Sequence, residues 1–430
     1  MKIKDILTID LSEDIKNVID LEDVSEVEIQ SEIESYIVTD GLAKDYSDFA
    51  TIYTSNIKET GVWISGFYGS GKSYFGKLLG YLLSDKLLSG TSARERILQR
   101  FTGLTDEALV KNSLSRLSTI KSRVVFLDIA KQDTSKGLAY TLFRNFLRSL
   151  NLPENEHGFF LYHLMINEKQ SDISDFVLSN LNKNWPDIKL RLVEYSKASK
   201  EIFLNKGNSE NDYNNLITTI RGDIEQFSPA RLKEELNNYL ITKPEEKIVF
   251  LFDEASEAIN QKKINLLELE GISEALSALG QKVWTIAIAQ EKLDDVIRNS
   301  NITKAELTKL TDRFKTKIHL EATEVDVIIR NRLLNKTEDG VSRLKENYGK
   351  NSGKICDHAS LIGSGVTKTD SAEGYATYYP FYKYQFDLLQ NFLFGTKGYA
   401  STKVAARGLI ITTYDILKQE VQHQELFKTV

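Results

Sequence analysis

Cysteine is nearly missing from this sequence. Cys356 is the sole one among 430 residues, so no disulfide can form within the chain, as suits a reducing cytosol. Nearby His358 makes a Cys-x-His pair, but two ligands are too few for a structural zinc site. No apolar run approaches the ~20 residues a membrane helix requires, and the start MKIKDILTID lacks the apolar core of a signal peptide. A soluble, cytoplasmic protein without membrane contact is expected. Excess positive charge is absent too. With 55 Lys and Arg against 61 Asp and Glu, the balance is −6, which argues against coating nucleic acid by charge alone but leaves room for a local basic strip. Neither a repeat nor a low-complexity tract is present. The length implies about two or three domains and an ample core.

What is present is organised around Gly61 to Ser73, GVWISGFYGSGKS. A short apolar strand runs into Gly66-x-x-x-x-Gly71-Lys72-Ser73, and a helix, YFGKLLGYLL, follows. That is the arrangement of a phosphate-binding loop. Gly66, Gly69 and Gly71 permit turns closed to residues with side chains, bringing main-chain N–H groups against phosphate oxygens. The helix N-terminus adds unpaired N–H groups and a partial positive charge. Lys72 is expected to reach the outer phosphates and the Ser73 hydroxyl to hold Mg2+; Ser70 and Tyr74 complete the expected nucleotide contacts.

A second anchor is KIVFLFDE, Lys247 to Glu254. An apolar strand buried on both faces would deliver two carboxylates at its C-terminal edge, where ligands bind in open parallel sheets. Asp253 is the candidate for Mg2+ through a water, and Glu254 the candidate base for the attacking water. The run KVWTIAIA, Lys282 to Ala289, reads as another strand, tipped by Gln290, which is placed to hold that water. Further strands are expected over Arg123 to Ala130 and Lys317 to Leu320, and a helix over Val325 to Leu334. Arg313, in an Asp-Arg-Phe setting, is a candidate for reaching a neighbouring subunit's nucleotide, with Arg298 as fallback. Arg407 is a candidate sensor reaching back to the γ-phosphate.

Three regions surround this core: an N-terminal helical segment, 1–56; the P-loop core, 57–320, with a helical insertion at about 150–243; and a helical lid, 321–430. Asp40-Gly41 reads as a break between the first helices, and Trp185-Pro186 and Gly207-Asn208 as breaks in the insertion. Lys131 and Lys136 lie in a polar loop where they are either solvated or turned toward a phosphate backbone. The aromatic run Tyr375 to Phe386 suits a helical core better than base stacking. The sequence stops in helix-like residues, so the front part of a longer protein is expected.

In order, these pieces resemble the AAA+ ATPases, which implies an α/β fold: a three-layer P-loop core of the ASCE type with a parallel sheet, a helical insertion and a C-terminal helical lid. Finer segments narrow the resemblance. Glu34 to Asp40 (ESYIVTD), IVFLFDEAS, AQEKL, YPFYKYQFDLLQ and STKVAARG are similar to the N-terminal ATPase portion of the large P-loop protein of bacteriophage exclusion (BREX) systems, the BrxC/PglY type. The resemblance implies ATP and Mg2+ as cofactors, a homo-oligomer with nucleotide at subunit interfaces, and a role in phage defence with a DNA methyltransferase and other system proteins, on or near DNA. It also implies the roles given above for Lys72, Ser73, Asp253, Glu254, Gln290, Arg313 and Arg407. Two alternatives stay open. One is a nucleotide-gated DNA-binding module resembling initiator or clamp-loader ATPases, in which hydrolysis is only a reset. The other is a protein unfoldase, although the 130–137 loop lacks the aromatic residue such proteins commonly carry there.

Overall fold

The computed structural model describes residues 1–12, 20–22, 25–55, 57–66, 71–298, 311–320, 325–359, 369–395 and 405–427. Among them the long apolar runs form five parallel-paired strands: β1 (Gly61–Gly66), β2 (Lys121–Asp128), β3 (Glu246–Asp253), β4 (Val283–Ala289) and β5 (Thr316–Leu320). Their order across the sheet is β2-β3-β4-β1-β5. Every residue of β1 and β4 is buried, because helices cover both faces of a parallel sheet. A strand order that departs from chain order leaves crossover connections, and those crossovers supply the covering helices.

One face carries α1 (Glu26–Ser35), α2 (Asp40–Thr54) and α3 (Lys72–Ser84). Phe75, Leu78, Leu79 and Leu82 of α3 pack there with Ile29, Ile33, Phe49 and Tyr53. Asp40-Gly41 is not the expected break. The break falls just before it, where Thr39 takes an extended conformation and its hydroxyl oxygen accepts the Leu42 N–H at 3.3 Å. Asp40 then begins α2, where a negative charge complements the helix dipole.

The opposite face is covered by helix Gly137–Ser149 and by the helices from Glu156–Asn167 to Pro229–Thr242. The insertion is therefore helical, as expected. Phe143, Phe159, Tyr162 and Leu236 share one core with Val125, Leu127, Phe250 and Phe252 of the sheet, so it forms a packed outer layer of the α/β core. Pro186 sits in the first turn of helix Trp185–Lys189, where its missing N–H costs nothing. Gly207, at φ 83°, follows helix Leu192–Asn205. Lys131 and Lys136 are ion-paired, with Asp128 at 2.9 Å and Glu225 at 2.7 Å.

The C-terminal helices, the expected lid, have their own core, in which Ile329, Leu333, Leu344, Tyr375, Phe386, Leu409 and Tyr414 meet. The aromatic run joins it through Tyr375, Tyr378, Tyr379 and Phe386, all buried. The first twelve residues belong to this core as well. Ile3, Ile6, Leu7 and Leu11 are buried in it, Ile3 N–H donates to the Gln424 carbonyl at 3.0 Å, and Thr337 N–H donates to the Ile6 carbonyl at 2.9 Å. The expected single segment 1–56 is thus divided between lid and core, because backbone groups at the chain's start find partners more than 300 positions away.

Candidate functional site

The site forms at the C-terminal edge of the sheet. Residues 67–70, with Gly69 and Ser70, lie outside the described residues. Gly66 ends β1, and Gly71, in the left-handed region at φ 80°, opens α3. That conformation is costly for any residue with a Cβ. Lys72 is only 7% exposed. Burial pushes its ammonium below the usual lysine range, while the Asp253 and Glu254 carboxylates pull it back up.

Asp253 ends β3 beside the first turn of α3. Burial pushes its carboxyl up to about 6, against a hydrogen bond from Ser73. Glu254 follows in the left-handed region, at φ 56° and ψ 33°, and its N–H donates to Asp253 Oδ1 at 2.8 Å. A non-glycine residue in that region is strained by about 1 to 3 kcal/mol, a cost that clusters at functional turns. From β4, Gln290 donates its Nε2–H to Glu254 Oε2 at 3.0 Å, and its own N–H donates to Ser256 Oγ at 3.1 Å. Because β4 lies between β1 and β3, Gln290 emerges between the end of β1 and the acidic tip of β3.

Lys72, Ser73, Asp253, Glu254 and Gln290 are therefore brought together. The residues fit Mg-ATP. A hydroxyl and a carboxylate, already bonded to each other, are the hard oxygen donors that Mg2+ takes alongside phosphate oxygens and waters, and the buried lysine supplies positive charge beside them.

The hydroxyl of Tyr74, expected to be among the nucleotide contacts, is engaged elsewhere. It bonds the Glu32 carbonyl and Ser35 Oγ, the latter at 2.5 Å, and the Tyr74 ring lies 4.8 Å from that of Tyr36. The phenol is thus turned toward α1. Beside it, Lys77 pairs with Glu32 at 2.6 Å, the two side chains 0% and 2% exposed, and also donates to the Asp20 carbonyl at 2.5 Å. Burial pushes the Glu32 carboxyl up to about 7, against Lys77. Tyr46 donates its hydroxyl to the Phe75 carbonyl at 3.0 Å. The first turns of α3 are thereby clamped by Asp20, Glu32, Ser35 and Tyr46. One signal was legible: Lys77 is a charge amid the apolar residues Phe75, Leu78 and Leu79 of α3, which implies a buried partner.

Arg313 does not lie in this chain's own site. It precedes β5 beside Gly61, at the start of β1, and so sits about 16 Å of strand away from Gly66. Its Nη2 is 3.5 Å from Glu274 Oε1. The side chains of Arg298 and Arg407 lie outside the described residues, although Arg407 falls within helix Ala405–Ile416. No family model matches the chain, and no solved structure matches it.

Proposed function

We propose that this chain is an AAA+ ATPase that binds Mg-ATP on the loop of residues 66–73 and hydrolyses it to ADP and phosphate. The observation that carries the reading is the 3.0 Å bond from Gln290 to Glu254, next to Asp253 and the buried Lys72. Glu254 accepts a proton from the attacking water. Gln290, held by Ser256, fixes both the carboxylate and that water. Lys72 takes the negative charge of the outer phosphates. Ser73 and Asp253 would hold Mg2+, whose chemistry is to neutralise charge on the phosphate oxygens as the bond breaks. The strand order supports the reading, since it sets the polar tip of β4 between loop and base.

Arg313 is too far from its own loop to act there, so in this reading it serves the nucleotide of a second copy, an action worth ~10³- to 10⁵-fold in rate. The biological setting we propose is the one implied by the Glu34–Asp40, Tyr-Gln and Ala-Arg-Gly segments: a phage-exclusion system, with hydrolysis driving assembly or remodelling of a DNA-associated complex. Lys72→Ala tests both halves. It should abolish the heat of Mg-ATP binding in calorimetry and, in a host carrying the system, restore phage plating. Mg-ATP binding that survives the substitution removes the loop from the account, and undiminished phage exclusion removes the setting.

A further inference from the structure

Among the described residues, the core of the C-terminal helices shares no buried apolar residue with either core of the sheet. The chain enters those helices after β5, and a unit attached at one point can swing about it. A second attachment comes from the other end of the sequence. Ile3, Ile6 and Thr8 pair in turn with Gln424, Thr337 and Asn335 through main-chain hydrogen bonds of 3.0, 2.9 and 2.9 Å. Ile6 is 0% exposed, and it sits so close to the first turn of helix Glu338–His358 that a Cβ on Gly340 would fall 2.8 Å from its own.

Residues 20–22 are fixed to the sheet, at the edge where the candidate site lies. The Asp20 carbonyl accepts the Lys77 ammonium of α3 at 2.5 Å, and Leu21 is 2% exposed in the core that holds α3. The Glu22 carboxylate gathers three donors at the tip of β2. One oxygen accepts the Asp128 N–H at 2.9 Å and Gln132 Nε2–H at 2.5 Å, and the other accepts Arg148 Nη1–H at 3.2 Å. Bonds to an ionised acceptor are the stronger kind. Asp128 is the strand partner of Asp253, so residues 20–22 bridge α3, which carries Lys72 and Ser73, to the strand beside the acidic tip of β3. The C-terminal helices also approach α3 directly: burial pushes the Tyr74 phenol up to about 12, against the Ser35 hydrogen bond and the Arg332 guanidinium of helix Val325–Arg332.

We propose that the start of the chain is a strap, anchored in the C-terminal helices by residues 3–8 and on the sheet by residues 20–22, which makes those helices and α3 move together. Glu22 and Lys77 are then positioning residues that act on the site through β2 and α3 without touching a ligand. Coupling between sites is reciprocal, so whatever shifts α3 shifts the C-terminal helices, and whatever binds those helices shifts α3. The strap does not depend on hydrolysis at Glu254. That nucleotide is what shifts α3 rests on the reading of the loop.

Amide hydrogen exchange at Ile3, Thr8 and Thr337, read without nucleotide, tests the strap. Glu22→Ala loosens only the anchor on the sheet, yet exchange at those amides should quicken by about fivefold or more, the size of a typical coupling between sites. Inserting about twenty Gly and Ser residues after Ser12 slackens the strap and leaves both anchors intact. In that lengthened chain Glu22→Ala should change the same amides by less than about twofold, as independent sites do. A general loss of stability would quicken exchange equally in both lengths, and Glu22→Gln, which keeps an oxygen for the Asp128 N–H, should restore most of the protection. No change at these amides in Glu22→Ala, or an equal change in both lengths, overturns the strap. A non-hydrolysable Mg-ATP analogue should slow the same amides in the unmodified chain and not in the lengthened one; an analogue that binds and slows them equally in both likewise overturns it. Failure of the unmodified chain to bind the analogue would remove the loop reading, and the comparison without nucleotide still decides the strap.

Discussion

Gly76, one turn beyond Lys72, lets α3 lie against the sheet, and its replacement by alanine sets two known effects against each other. A Cβ there would fall 2.1 Å from Ile288 Cδ1, 3.4 Å from Ile288 Cγ1 and 3.5 Å from Leu251 Cδ2. Carbon atoms pack best at about 3.5 to 4.0 Å, so the first contact is short by about 1.5 Å. Ile288 and Leu251 are 0% exposed, leaving no solvent side for either to retreat into. Overpacking of this kind costs about 1 to 3 kcal/mol, while alanine in a helix interior gains about 0.8 to 1 kcal/mol over glycine. The net effect expected lies between about zero and a loss of about 2 kcal/mol. Gly222, exposed in helix Glu210–Glu225 and with nothing within 4 Å of an added Cβ, isolates the propensity gain, and Gly222→Ala should stabilise by about 0.5 to 1 kcal/mol. Urea unfolding of both variants against the unmodified chain measures the difference. Gly76→Ala should also weaken Mg-ATP binding, because a displaced α3 carries Lys72 and Ser73 with it. Equal stability of the two variants would refute the close contact of α3 with β4.

Gln290→Ala should lower kcat by about 10²- to 10³-fold, as expected for loss of one preorganised donor, with little change in Mg-ATP affinity; an unchanged kcat would leave Gln290 as a local structural residue. Lys336 offers a pH test of the lid. It is 9% exposed and donates to the Thr377 carbonyl at 2.6 Å, and burial pushes its ammonium from 10.5 down to about 7. Between those two values the unfolded chain binds the extra proton, so lid stability should rise with pH across that window and be lowest below about 7. Lys336→Met should flatten the rise in thermal melts; an unmodified chain that is equally stable from pH 7 to pH 10 contradicts the buried ammonium.

The sheet and the acidic strand tip were legible in the sequence for a simple reason. Buried parallel strands must be continuous apolar runs, and VFLFDE or WTIAIAQ passes abruptly from such a run to the polar residues of a sheet edge. Gly71 was legible as the opening of α3 because few residue types tolerate its left-handed backbone. What escaped was long-range. Nothing local to Ile3, Ile6 and Leu7 says that they join the lid, since their partners lie at 335–337 and 422–426. Nothing local to Tyr74 says that Glu32 and Ser35 hold its hydroxyl. Asp40-Gly41 has turn composition, yet the cap one residue earlier decides the outcome: Thr39 satisfies a helix N–H, and a glycine in the following turn costs little.

The most direct test of the ATPase account measures Mg-ATP binding and phosphate release on the same samples of the unmodified chain and of Glu254→Gln. Glutamine keeps the shape that Gln290 contacts but cannot take a proton from water, so binding should persist within a few-fold while release falls by about 10²- to 10⁴-fold. Phosphate release that is unchanged in Glu254→Gln, while Lys72→Ala abolishes it, would show that the base lies elsewhere and contradict the site described for the tip of β3.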